Sequence, residues 1–412
     1  MKPLRRFHLL ALFLGLLSIC SCALPAYANS GNTAGFTVTT FNIPGIVLAA
    51  AAGDMDGDNA ADLLLFHKPE KLSYDKVCSV FFQRDGQYRL QPNLQIPLGK
   101  SVSAFCVNDI DSDGSDELCG FDGEGMVLFA ASASDPVVRK RLIECRTVLP
   151  PTSRHCAIVD WAADLGSDGT VDIFLPVAEG IRSFTVAKDM SVTPAHAFEF
   201  PVRGSVREEG GQSYITYRLP KLDFSDFDKD GHTDLGVFDL ERMDFFLSNS
   251  SGTAARHIQA QLLRELTKDF VGGTYFDDLN GDGIPDAVLV LLSQRKNLQS
   301  EVQIYFGNKN FFYGDQPTHV YSGDANLILP VFFDATGDGK QEMLLQKIDV
   351  GIGFFLNYFL ANRIRVETEI YRISPEGKYE GKALASRPIY IQASESGVEP
   401  ARGAGDFNGD GL

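Results

Sequence analysis

The chain lacks the residue patterns that build redox and thiolate-metal sites. It contains no C-x-x-C pair, which excludes a zinc ribbon and a thioredoxin-type centre. Cys78, Cys106, Cys119, Cys145 and Cys156 lie beyond the first 28 residues, so one would stay unpaired even in an oxidising compartment. There is a single tryptophan. The 7 histidines (His8, His67, His155, His196, His232, His257 and His319) are scattered without ligand spacing. No G-x-S-x-G elbow, H-E-x-x-H helix or P-loop occurs, so no familiar catalytic signature marks the chain. Cations are also scarce: Lys and Arg number 37 against 54 acids, for a formal charge of -17. That surface argues against a nucleic-acid partner and suits a protein that holds divalent cations. Helical spacing is confined to His257–Phe270, which reads equally as a fourth strand in its repeat.

Long apolar runs are absent beyond the N-terminus, and the mature chain is expected to be soluble, with no membrane span. The start, "MKPLRRFH", is basic; "LLALFLGLLSIC" is apolar; and Ala26-Tyr27-Ala28 is a small-x-small cleavage site. Residues 1–28 thus read as a secretory signal peptide of bacterial type, and Asn29 as the mature N-terminus. Removing the signal takes the formal charge from -17 to -20, because residues 1–28 carry Lys2, Arg5 and Arg6 and no acid. The protein is expected in the periplasm or outside the cell. Lipidation of Cys22 after "ICS" is the alternative, giving a tethered form.

What the sequence does have is a repeat. "DMDGDNAAD" starts at Asp54, "DIDSDGSDE" at Asp109, "DLGSDGTVD" at Asp164 and "DFDKDGHTD" at Asp226. "DLNGDGIPD" follows from Asp278, "DATGDGKQE" from Asp334 and "DFNGDGL" from Asp406. Successive starts are 55, 55, 62, 52, 56 and 72 residues apart. Short apolar runs flank each loop, such as "VSAFCVN" before and "DLGVFDL" after, with a third run such as "VQIYFGN" and a more polar fourth. About four strands per repeat of roughly 50 residues describe a propeller blade. The expected fold is all-β, a seven-bladed β-propeller over residues 29–412 with a calcium loop in each blade and the last blade incomplete. The 30 phenylalanines are expected to fill the wedges between stacked blades. Gly35–Ile43 reads as a spare outer strand that would close the ring. The chain stops at Gly411-Leu412, inside the seventh loop, which predicts that the natural protein continues.

Numbered one to nine, the loops carry acids or amides at one, three, five and nine, usually with glycine at six. Calcium takes six to eight oxygens, and alternate residues of a tight loop can aim at one centre, with a backbone carbonyl at position seven. Without a cation, such crowded carboxylates would repel one another. The candidate ligands of loop one are Asp54, Asp56, Asp58, Ala60 and Asp62, and those of loop two Asp109, Asp111, Asp113, Ser115 and Glu117. Loop three offers Asp164, Asp168 and Asp172, with Gly166 where an oxygen belongs. Loop four offers Asp226, Asp228, Asp230, His232 (through its carbonyl) and Asp234, and loop five Asp278, Asn280, Asp282, Ile284 and Asp286. Loop six offers Asp334, Thr336, Asp338 and Glu342, and loop seven Asp406, Asn408 and Asp410. Loops four and five are expected to bind calcium most tightly and loop three most weakly. An EF-hand is excluded, because position twelve is Leu65, Gly120, Val237 or Leu289 in the best loops. Cys106 and Cys119 flank loop two, and a hairpin there would place them opposite each other, within disulfide reach.

The pattern D-x-[DN]-x-D-G-x-x-D between strands, followed by an apolar strand and then "IYFGN", resembles the FG-GAP and VCBS repeats. The resemblance covers residues 34–412 and is closer to the bacterial VCBS type than to integrin α heads. It implies a seven-bladed propeller whose loops, joining the first and second strands of each blade, carry several Ca2+ ions. Two functions fit. The first is a binding module for a protein or a glycan, in adhesion or scaffolding; the alternative is a propeller-fold polysaccharide lyase or hydrolase. The absence of a converging acid, base and oxyanion set favours binding.

Overall fold

The computed structural model describes residues 41–130, 138–200, 202–209, 212–239, 242–250, 256–261, 270–293, 299–308, 313, 316–322, 327–334, 336–361, 363–374 and 377–392. The signal peptide, Cys22, the start of the spare strand and the whole of loop seven (Asp406, Asn408, Asp410) lie outside the described residues.

Among the described residues the architecture is an all-β propeller of six four-stranded antiparallel blades, where seven were expected. The six described Asp-rich loops and the six blades correspond one to one, and the seventh loop lies outside the described residues. A blade needs four paired strands, and six of the loops are built into such a set among the described residues. Blade one is Ile46–Gly53, Asp62–Lys68, Val77–Phe81 and Leu94–Pro97. Blade two is Ala104–Asn108, Glu117–Asp122, Gly125–Ala130 and Val138–Glu144, with Ala157–Ile158 added parallel to its first strand. Blade three is Ala162–Ala163, Val171–Val177, Gly180–Val186 and Val192–Glu199. Blade four is Lys221–Ser225, Asp234–Phe238, Arg242–Leu247 and Arg256–Gln261. Blade five is Phe270–Asp277, Asp286–Ser293, Gln299–Tyr305 and His319–Ser322. Blade six is Leu327–Phe333, Glu342–Ile348, Arg363–Tyr371 and Ala385–Gln392. The start of the His257–Phe270 passage is therefore the fourth strand of blade four. A helix stands instead at Ile352–Ala361, between the second and third strands of blade six.

Aromatic rings join each blade to the next, as the phenylalanine content suggested. Phe66 meets Phe105 at 5.1 Å, Phe121 meets Trp161 at 5.0 Å, and Phe174 meets Phe224 at 4.8 Å. Phe238 meets Phe276 at 4.5 Å, and Tyr321 meets Tyr371 at 5.2 Å. Twisted sheets leave wedge-shaped gaps, and flat rings in tilted or edge-on contact fill them. Cys106 and Cys119 are direct cross-strand partners, so they do face each other. Both are buried free thiols, and burial pushes the Cys119 thiol well up.

Candidate metal loops

Each of the six described loops joins the first strand of a blade to its second, so position twelve sits inside a strand and no EF-hand helix is present. Position two is a hidden anchor. Ile110, Leu165, Phe227 and Leu279 at that place are all buried in the interblade core and fasten the loop at its root.

The position-one aspartate shapes the loop. Asp54 accepts the backbone N–H groups of Gly57, Asp58 and Asn59 at 2.8, 3.1 and 2.6 Å. Asp226 accepts those of Asp230 and Gly231 at 3.0 and 2.8 Å, and Asp109, Asp164, Asp278 and Asp334 repeat the arrangement. Position five then accepts from the N–H of position seven: Asp230 accepts from His232 at 2.9 Å and Asp282 from Ile284 at 2.8 Å. This winding requires left-handed backbone twice. Position six has it, at φ 63° for Asn59 and 93° for Gly231. Position four has it too, and there Ser112, Ser167 and Lys229 adopt φ of 57°, 56° and 63°. A non-glycine residue held there is strained. Glycine at Gly57, Gly281 and Gly337 was the sequence signal for this second turn.

The structure brings carboxylates together in three loops. Ligand atoms of Asp54, Asp56 and Asp58, of Asp109, Asp111 and Glu117, and of Asp226, Asp228 and Asp230 each lie within 4.8 Å of one another. In loop five, Asn280 takes position three and accepts the Asp282 N–H at 2.9 Å. Loops three and six are not among these groups; Gly166 and Thr336 replace the third carboxylate there. Asp111 Oδ1 in loop two is buried and has no hydrogen-bond partner. A buried, unpartnered carboxylate oxygen is costly, and a cation at the loop centre would satisfy it. The donor set, hard oxygens on a tight turn, fits calcium.

Position nine has a second role beside its reading as a ligand. Asp62, Asp234 and Asp286 are fully buried, and each joins its loop to the chain just past the third strand of its blade. Asp286 accepts the N–H of Leu279 at 3.0 Å and that of Gly307 at 2.8 Å. Asp234 accepts those of Phe227 and Ser248 at 2.9 and 2.6 Å, and Asp62 those of Met55 and Gln83 at 3.0 and 2.8 Å. Burial raises these acids: Asp62 and Asp234 to about 6, Asp286 and Glu117 to about 8. A raised carboxylate binds its proton more tightly in the fold than in the unfolded chain, whose acids titrate near 4. Cation-free protein should therefore melt highest near pH 4 and lose stability progressively as pH rises to about 8. Melting curves in chelator across that range check the sign.

Two contacts were invisible in the repeat. Arg84, on the short hairpin Gln83–Arg84/Gln87–Tyr88, places its guanidinium against Asp56 and against Asp58 at 2.7 Å. The chain's own cation thus occupies loop one. Neighbouring loops are also stitched together through position eight or its neighbour. Asp116 N–H donates to Asp54 O at 2.7 Å, Gly166 N–H to Thr233 O at 2.9 Å, and Gln341 N–H to Leu279 O at 2.9 Å. His232, expected as a carbonyl ligand, adds its side chain: Nδ1 donates to Gly166 O at 2.9 Å.

No family model matches the chain, and no curated protein matches it. Similar solved structures include an Agrocybe aegerita lectin described as recognising non-reducing terminal N-acetylglucosamine. It is 14% identical, with 83% of this chain and 79% of that chain covered and a TM-score of 0.42. AofleA from Arthrobotrys oligospora is 8% identical, covering 84% and 90%, with a TM-score of 0.33. The WD40 domain of SCAP from fission yeast is 10% identical, covering 84% and 88%, with a TM-score of 0.34.

Proposed function

We propose that this is an exported calcium-binding β-propeller of the FG-GAP/VCBS type, acting as a binding module for a protein or glycan. The observation that carries the calcium reading is the convergence of three acidic side chains in loops one, two and four, with Asp111 Oδ1 buried and unpartnered in loop two. Calcium in these loops would stiffen one end of each blade, where the connections between first and second strands cluster. The binding role is supported by a propeller fold, which presents loops on two faces, and by an acidic chain without a familiar catalytic motif. Export is supported by the basic, apolar and small-x-small order of residues 1–28.

A glycan array and a pull-down from the extracellular fraction, both with calcium-loaded protein, test the role. Saturable capture of one saccharide or protein, lost on chelation, is expected. Turnover of a polysaccharide by the protein would overturn the binding reading in favour of the lyase or hydrolase.

A further inference from the structure

The helix Ile352–Ala361, "IGFFLNYFLA", carries no charged residue, and Asn357 is its one strongly polar side chain. It packs on the third strand of blade six, yet within it only Phe354 is buried. Ile352 is 82% exposed, Leu360 81%, Phe359 69% and Leu356 54%. A helix that is apolar nearly all round is normally enclosed by protein core or by lipid.

Blade geometry fixes where this helix points. Antiparallel strands reverse at each connection, so the link between second and third strands leaves the blade at the end opposite to the Asp-rich loop. The helix therefore lies at the face away from loop six. At its base, Arg363 lies over the ring of Tyr390 at 4.7 Å, and Tyr390 is itself exposed. An apolar projection with tyrosine and arginine at its foot matches the layering of a membrane interface, where such residues sit at headgroup depth.

We propose that Ile352–Ala361 inserts into one leaflet of a phospholipid bilayer and docks the propeller on its surface, with the Asp-rich loops turned outward. Ten residues rise about 15 Å, half the roughly 30 Å hydrocarbon core, so the helix enters without spanning. A second copy fits less well. The four side chains expose on the order of 500 Å², short of the roughly 800 Å² per partner that a stable interface buries, whereas lipid needs no complementary shape.

The test uses the full chain carrying Phe359→Trp, with vesicles of phosphatidylcholine brominated on the acyl chains. The native indole, Trp161, is buried and gives a constant background. The introduced indole should shift to the blue and lose at least about half its emission to bromine quenching. The reading is local, so vesicle contact through the apolar segment near the N-terminus does not imitate it. Adding Ile352→Glu and Leu360→Glu should abolish the quenching and leave the melting temperature unchanged, because both positions are exposed. Insensitivity of the introduced indole to vesicles would overturn the proposal. So would concentration-dependent dimerisation that the two glutamates abolish, since a second copy would then cover the helix.

Discussion

Asp286→Ala should destabilise the propeller by about 3 kcal/mol or more, with calcium or without it. The carboxylate is fully buried and is the hydrogen-bond acceptor for the N–H groups of Leu279 and Gly307. Alanine leaves both donors unsatisfied, each at about 1–3 kcal/mol, and opens a space beneath loop five. Relief from burying an acid raised to about 8 offsets part of that cost but not two orphaned donors. Asp234→Ala should behave likewise through Phe227 and Ser248. Denaturant midpoints in calcium and in chelator check this. A loss that appears in calcium alone would show that position nine works as a ligand and not as a brace.

Chelation should lower the melting temperature of the parent chain markedly, and Asp230→Ala should remove part of that calcium-dependent gain. Asp230 is exposed and holds the His232 N–H, so its loss costs little in chelator. There it also relieves repulsion with Asp226 and Asp228, which lie within 4.8 Å. In calcium the same change removes a ligand. Each occupied site adds roughly 2.7 kcal/mol when free calcium is a hundredfold above the dissociation constant. Asp168→Ala should cost less calcium-dependent stability, because Gly166 already leaves loop three short of an oxygen. Arg84→Ala should have the opposite effect. It frees Asp56 and Asp58 from their ion pairs and should enlarge the calcium-dependent shift of loop one. Magnesium should substitute poorly throughout, since it demands a tighter octahedral shell. Equal calcium-dependent losses for Asp230→Ala and Asp168→Ala would refute the ranking of the loops.

The phased Asp-rich loops and their apolar flanks made the blade legible, and with it the place of the loops between first and second strands. The blade number was not legible, because a loop motif of nine residues does not show whether four strands pair around it. The brace at position nine was hidden for another reason. An acid that braces looks in sequence like any other, and only the distant donors, Ser248 for Asp234 and Gly307 for Asp286, reveal the brace. Arg84 was missed because it enters loop one from a hairpin beyond the third strand. The helix was missed because "IGFFLNYFLA" is a short apolar run, and periodicity does not distinguish such a run from a buried strand. Lys229 in the left-handed region gave no signal at all, although glycine at Gly57, Gly281 and Gly337 pointed to the turn it shares.

The most direct measurement is a calorimetric calcium titration of the cation-free chain at neutral pH, run beside Asp111→Ala and Asp228→Ala. Saturable binding by several ions per chain is expected, with each variant losing about one ion. No saturable heat in the parent, or the same stoichiometry in both variants as in the parent, would contradict the claim that these loops hold calcium.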